Sequence, residues 1–396
     1  MTAHVGSTPA GLSTGLTLLF ALACGLCVAN LYFAQPLIEP IAANLGLHAG
    51  LAGLIMTLTQ LGYGAGLLFL VPLADVVENR RLIVFAMAGA VIGLLGITLS
   101  NSAATFLTAS FVVGSCAVAA QVLVPLASHL VPEATRGKVV GNIMSGLLVG
   151  IMLARPFSSF VASAFGWRTV FAASAALMAL FSLILWRALP KRRPQASTGY
   201  RRTMASLPGI VWRTPLLRRR AVYQGLMFAG FQAFWTAVPL ALAHEYGLGQ
   251  AGIALFALAG AAGALTAPWA GRLADRGLTR PATGLAMAAL LLSFALGALA
   301  VHMRSLAGLV AAGVLLDGAV QICNVLSLRS LYVLAPELRG RLNGLFFCSV
   351  FLCAAVASAL AAAVYAFHGW NGLSLLGGAF ALIALLFYAT EFRQKA

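Results

Sequence analysis

The chain has 396 residues, 61% of them apolar and only 9% charged, with a mean hydropathy of +0.96 and a formal net charge of +16. A soluble domain carries about 25% charged residues, so the shortfall excludes a water-soluble enzyme, a disordered tail and a free nucleic-acid-binding domain. At roughly 20 apolar residues per bilayer crossing, the length accommodates about a dozen spans, and 41 glycines suit closely packed transmembrane helices.

Before the first apolar run, Met1 to Ser13 carries no Lys or Arg, and no small-residue cleavage site follows the run, so it reads as a retained helix and not a signal peptide. Runs bounded by charge, Pro or turn residues predict helices over 14–38, 50–74, 82–100, 105–131, 139–163 and 169–189. Six more follow over 221–243, 250–270, 281–302, 306–331, 342–366 and 372–390. Between the sixth and seventh, Pro190-Lys191-Arg192-Arg193-Pro194-Gln195 opens a basic stretch reaching Arg218-Arg219-Arg220. The reading is an all-α polytopic membrane protein: a six-helix bundle over 1–190, a basic cytoplasmic linker over 191–220 and a second bundle over 221–396.

The cations fix the orientation. Twenty-one of the 25 Lys and Arg fall in or beside the gaps after spans 2, 4, 6, 8 and 10 or in the C-terminal tail. The opposite gaps hold Arg168 and Arg304, while Arg155 and Arg329 lie inside predicted helices. By the positive-inside rule both termini face the cytoplasm, and the charge is no sign of a nucleic-acid partner. The linker cations read first as a topology determinant and second as a patch for anionic membrane lipid. All six cysteines lie inside apolar runs, where they serve packing. Six scattered His offer no metal-ligand cluster and no phosphate-binding Gly-x-x-x-x-Gly-Lys loop is present, so neither metal nor cofactor is expected. Gly11-Leu12-Ser13-Thr14-Gly15 matches a nucleophile-elbow string, yet it precedes a membrane helix instead of following a strand, so no enzyme is expected.

Four landmarks recur in the same order half a chain apart: Asp75 and Asp275, Pro132-Glu133 and Pro336-Glu337, Arg136-Gly137 and Arg339-Gly340, Gly166-Trp167 and Gly369-Trp370. Two copies of a six-helix unit follow, and parallel halves of this kind rock about a central site near the bilayer midplane.

Gly271-Arg272-Leu273-Ala274-Asp275-Arg276-Gly277 with Arg280 resembles the cytoplasmic Gly-x-x-x-Asp-Arg signature of the major facilitator superfamily. Val71-Pro72-Leu73-Ala74-Asp75 with Arg80 and Arg81 is a degenerate first-half copy, in which Val71, Val76 and Glu78 replace Gly, Arg and Gly. Gly166-Trp167-Arg168 followed by Phe171 resembles the end of span 5 in the drug and sugar efflux branch. The resemblance covers essentially the whole chain. It implies twelve transmembrane helices in two pseudo-symmetric bundles, spans 1, 4, 7 and 10 around a central cavity, and residence in a bacterial inner membrane as a monomer. Two departures stand out. Ser110 occupies the span 4 position of that branch's buried Arg, and span 5 reads Arg155-Pro156 with Ser159 and Phe160 where glycines are usual.

Charges inside a bilayer are expensive and usually functional. Asp317 lies 11 residues into span 10, roughly 16 Å from its outer end and so near mid-bilayer. Gln321 and Asn324 share its helical stripe, which must face a cavity or a helix contact. Asp317 is thus the proton-coupling candidate, with the permanently cationic Arg155 either holding it or neutralising an anionic substrate. Asn30, Tyr32 and Gln35 in span 1, Gln60 and Tyr63 in span 2, Gln121 in span 4, and Gln232 and Trp235 in span 7 are the other cavity candidates, together describing an apolar pocket for small amphiphilic molecules. Asp75 with Arg80 and Arg81, and Asp275 with Arg276 and Arg280, are candidates for a cytoplasmic gate. The function expected is proton-coupled efflux of small lipophilic or sugar-like compounds, the alternative being a proton symporter that imports a small organic anion. Outside transport, a receptor or scramblase on the same fold is the competing class. Cysteine-accessibility labelling of intact cells is expected to find Ser197 in the linker protected from external reagent; external labelling there overturns the topology.

Overall fold

The computed structural model describes residues 12–193, 199–334 and 339–393, which are helical almost throughout, with no strand among them. Ser197 of the linker and the Pro336-Glu337 landmark lie outside the described residues. Span 1 is helix Thr14–Ala29, a turn, the short 3-10 segment Gln35–Leu37 and helix Ile38–Leu45. Pro36 sits in that 3-10 segment, where its missing N–H breaks no α-helical bond. Span 2 runs from Ala49–Leu51 through Leu54–Ala65 to a wide turn Gly66–Leu70 and a tight one, Val71–Asp75, which holds Pro72. Spans 3 to 6 are Asn79–Thr98, Ala103–Cys116 with Ala119–His129, Glu133–Phe165 and Trp167–Ala188. Span 7 is Pro215–His244; span 8 is Gln250–Gly260, Ala261–Thr266 and Ala267–Asp275; spans 9 and 10 are Thr279–His302 and Leu306–Leu334. Spans 11 and 12 share one helical run, Arg339–Arg393, broken at Gly369.

Three boundaries differ from the sequence reading by six residues or more, the first being span 1, which runs to Leu45 instead of ending at 38. Spans 5 and 7 begin at Glu133 and Pro215, six residues before the predicted starts at 139 and 221, and the linker contains a helix, Tyr200–Arg213. Charge marks where an apolar run ends, but a helix continues into the aqueous phase as long as its backbone bonds are made.

The Gly-Trp landmark has a backbone cause. Gly166 (φ 82°, ψ 160°) and Gly369 (φ 59°, ψ −156°) occupy a region essentially closed to residues with a Cβ, and each reverses the chain between two spans without a loop. The following Trp anchors the turn: Trp167 packs edge-on against Phe106 and Phe171, and Trp370 against Phe234. Small residues bring other spans to backbone contact. A Cβ on Gly25 of span 1 would stand 2.7 Å from the Gly146 carbonyl oxygen of span 5.

We call the end at which span 6 leaves for span 7 the linker end, and the other the far end. At the far end the halves touch directly: Thr57 donates to the Ala355 carbonyl at 3.0 Å, Ser358 to that of Gly53 at 3.4 Å, and Glu39 meets His244 at 3.2 Å. Among the described residues, every ion pair at the linker end stays inside one half. Replacing Gly369 with Ala is expected to cost about 1–3 kcal/mol through the strained φ, read as a lowered thermal midpoint in detergent. Gly137→Ala, at an open position inside the span 5 helix, should leave the midpoint unchanged or raise it slightly.

Candidate functional site

Arg155 sits about two-thirds of the way along span 5 and is only 5% exposed. Its Nε donates to Gln35 Oε1 at 2.7 Å, so the turn in span 1 presents the amide that receives it. The guanidinium lies over three aromatic faces: Trp235 at 4.3 Å, Tyr32 at 5.0 Å and Phe231 at 5.2 Å. Such cation–π contacts strengthen as the site dries. Arg155 Nη2 is buried without a hydrogen-bond partner.

Trp235 carries the contact onward, its indole Nε1 donating to Asp317 Oδ1 at 2.8 Å. Arg155 of the first half and Asp317 of the second are therefore joined through one ring, with no direct ion pair between them. Asp317 is half-buried. Span 8 backs it closely, for a Cβ on Gly263 would stand 2.5 Å from the Asp317 Cβ. Gln321 and Asn324 continue from Asp317 toward the linker end, both half-buried, with Asn324 Oδ1 unpartnered. Beside the bridge, Gln35, Pro36, Arg155, Trp235 and Pro239 enclose a void with room for about one water molecule.

The sequence candidates separate by where they fall. Tyr32, Gln35 and Trp235 gather on Arg155. Gln60 and Gln232 are fully buried with both amide atoms unpartnered. Asn30 is spent on packing: it donates to the Leu26 carbonyl at 2.9 Å and accepts from Ser174 at 2.7 Å, tying span 1 to span 6. Tyr63 and Gln121 lie in a chain of hydrogen bonds across the halves. Gln121 donates to Tyr63 at 3.0 Å and accepts from Asn343 at 3.4 Å, and Asn343 accepts from Tyr332 at 2.8 Å. Asn343 was not singled out from the sequence, although an amide early in the apolar span 11 is the same kind of signal that marked Gln121.

The predicted gate pairs are rearranged. Glu78, read as a degenerate substitution, takes both first-half arginines, with Arg80 at 3.6 Å and Arg81 at 3.3 Å, while Asp75 makes no ion pair among the described residues. Asp275 pairs at 2.6 Å with Arg329, not with Arg276 or Arg280, and Arg280 reaches Glu391 at 3.1 Å. The physical reason is reach. The turn after Asp75 carries Glu78 beneath the start of span 3, and span 10 delivers Arg329 to the carbonyl of Gly271 as well, at 2.9 Å.

Buried polar atoms without partners are rare in folded proteins. Those on Gln35, Gln60, Arg155, Gln232 and Asn324, from spans 1, 2, 5, 7 and 10, belong to the same membrane-embedded helices as the cation and the carboxyl from opposite halves, and give this polytopic membrane protein a polar interior. The comparisons agree. The sequence profile of the Major Facilitator Superfamily matches residues 18–332 and 221–396. The transporter YgaY of Escherichia coli O157:H7 is 41% identical over 387 residues, covering 97% of this chain and 98% of YgaY. The chain belongs to the Major Facilitator Superfamily. The purine ribonucleoside efflux pump NepI of Escherichia coli O6:K15:H31 is 26% identical over 249 residues, 60% of this chain and 59% of NepI. The crystal structure of the nucleoside transporter NupG shares the fold at TM-score 0.76 and 14% identity, covering 95% of this chain and 99% of that one.

Trp235→Phe keeps a ring over Arg155 but deletes the donor to Asp317, an expected loss of about 1–3 kcal/mol. Trp235→Leu removes the aromatic face as well and should unfold at a lower temperature still, as followed by thermal unfolding of the two purified variants.

Proposed function

We propose that the chain is a proton-coupled exporter of small lipophilic or sugar-like compounds, working by alternating access in a bacterial inner membrane. In this reading residues 1–190 and 221–396 rock against each other, and the linker and both termini are cytoplasmic. The observation that carries it is the Arg155–Trp235–Asp317 bridge. A charge-assisted hydrogen bond is about twice as strong as a neutral one, so a proton arriving on Asp317 weakens its hold on Trp235. Trp235 and Asp317 both belong to the second half, so the loosened indole can turn on span 7 and withdraw its face from Arg155, which stays with the first half. A solute with an aromatic or apolar face competes for the surface of Tyr32, Phe231 and Trp235, and the unpartnered amides of Gln60 and Gln232 offer it hydrogen bonds. NepI and NupG are named for nucleosides, and a heterocycle on a sugar falls within the proposed class. With the linker cytoplasmic, the Glu39–His244 and Thr57–Ala355 contacts close the periplasmic side.

One observation favours a second reading. Arg155 has an unpartnered Nη2 and no direct counter-ion, which suits an imported organic anion. Flux in proteoliposomes under an imposed pH gradient separates the two: proton entry driving solute out supports the exporter, and proton entry driving solute in supports the symporter.

Asp317→Asn keeps the shape and the acceptor for Trp235 but removes the titration. It is expected to abolish gradient-driven transport while solute binding survives and loses its pH dependence. Transport at the wild-type rate with an unchanged pH response would make Asp317 structural and move the search to Glu39, which faces His244 at the far end.

A further inference from the structure

The degenerate first-half loop has no part in the central site, yet it builds a cleft of about 610 Å³ at the linker end. Val76, Val77, Leu82 and Phe85 form its apolar wall, and Arg81 and Arg193 stand at its rim. Phe85 is 69% exposed and Val77 37%, so the wall opens outward from the helical bundle, toward the bilayer, and not inward to the transport site. We propose that this cleft binds an anionic phospholipid, the phosphate on Arg81 and Arg193 and the first part of an acyl chain along Phe85.

Three features build the site. First, the linker is fastened where its cations are needed: Asn79 N–H donates to the Arg192 carbonyl at 3.1 Å, Arg80 reaches the Leu189 carbonyl at 3.4 Å, and its guanidinium stacks on Trp186 at 4.7 Å. This fixes the start of the linker against span 3, with Arg193 beside Arg81. Second, the acid in the cleft is already compensated. The Glu78 side chain is 5% exposed and shared by Arg80 and Arg81, while the Arg81 side chain remains 68% exposed. The rim is therefore net cationic. Third, the second half uses the same loop differently. There Asp275 is tied to Arg329 of span 10, whereas the first copy has Val76 and Val77 in place of a charged turn and leaves Asp75 without an ion pair among the described residues. Two of the three substitutions that spoil the gate signature, Val76 and Glu78, line the cleft.

The chemistry selects the ligand class. A soluble anion gains nothing from an outward-facing Phe and Val, and a zwitterionic lipid gains little from two arginines. Basic clefts beside membrane helices at the cytoplasmic surface suit anionic headgroups. The inference is independent of which solute crosses the central site.

The test uses the purified full chain exposed to an equimolar mixture of phosphatidylglycerol and phosphatidylcholine, with retained lipid counted by native mass spectrometry. Wild type is expected to retain phosphatidylglycerol about tenfold over phosphatidylcholine, as two arginines at a headgroup permit. Arg81→Gln with Arg193→Gln should bring the ratio near one, and Phe85→Asp, which sets a carboxylate on the wall without touching the arginines, should do the same. Arg201→Gln with Arg202→Gln removes two exposed cations from the linker helix and should leave the ratio unchanged. The proposal is overturned if the Arg81/Arg193 variant keeps the wild-type preference. It is also overturned if the Arg201/Arg202 variant loses as much, which would mean diffuse attraction, or if glycerol 3-phosphate displaces the lipid, which would mean a site for soluble phosphate.

Discussion

The cost of keeping a guanidinium inside a bilayer shapes the centre of this protein. Arg155 cannot shed its proton, and burial without compensation costs several kcal/mol. A carboxylate in direct contact would be the simplest compensation and would also lock the halves together. Here the compensation is spread over an amide, Gln35, and three aromatic faces, with the carboxyl held one ring away. Arg is suited to this and Lys is not, since a planar, weakly hydrated cation stacks on rings where a compact ammonium keeps its water. The arrangement holds the charge without fixing the distance between span 5 and span 10.

That looseness at the centre contrasts with the ties inside each half. Glu78 gathers Arg80 and Arg81 in the first half, and in the second Glu391 gathers Arg219 and Arg280 and accepts from Tyr223. Glu391 with its two arginines staples the ends of spans 7, 9 and 12, whereas Glu78, Arg80 and Arg81 share the start of span 3, from which Arg80 reaches the Leu189 carbonyl after span 6. Between the bundles the charged contacts are Glu39 with His244 at the far end and Arg155 over the span 7 rings, and the other hydrogen bonds described above are neutral: hydroxyls on backbone carbonyls at the far end, amides and phenols at Gln121 and Asn343. Neutral hydrogen bonds are worth about 0.5–1.5 kcal/mol each, so they can be exchanged for others as the halves move, whereas the intra-half ion pairs resist breaking.

Much of this was legible in the sequence, for reasons that differ by feature. Hydropathy reports spans because each must bury roughly 20 residues in hydrocarbon, and the Gly-Trp repeat was visible because only glycine adopts the backbone of Gly166 and Gly369. Asp317 and Arg155 stood out because a charge in an apolar run needs a reason. The bridge between them did not, since Trp235 in an apolar helix reads the same whether it packs or donates to a carboxylate. Partner choice was also hidden. Asp75 looked like the partner of Arg80 and Arg81 by motif, but three residues of turn geometry hand both arginines to Glu78, and Asn30 looked like cavity polarity until Ser174, 144 positions away, was seen to consume it. Pairing across such separations depends on tertiary packing, which no local pattern encodes.

The two departures from the efflux-branch pattern become one rearrangement once the packing is seen. Ser110, where that branch carries a cation, is buried and donates to the Phe106 carbonyl of its own helix at 2.8 Å, so span 4 asks for no counter-charge. The cation stands instead on span 5, at Arg155, where two of its three aromatic contacts come from span 7 of the other half. A charge on a face packed within its own bundle reports only local protonation. In the proposed alternating-access cycle, a charge whose solvation is supplied by the opposite bundle is re-solvated each time the bundles part. Moving the cation by one helix therefore makes its environment a function of the angle between the halves, and couples any charge it faces, a carboxyl or an anionic solute, to that angle.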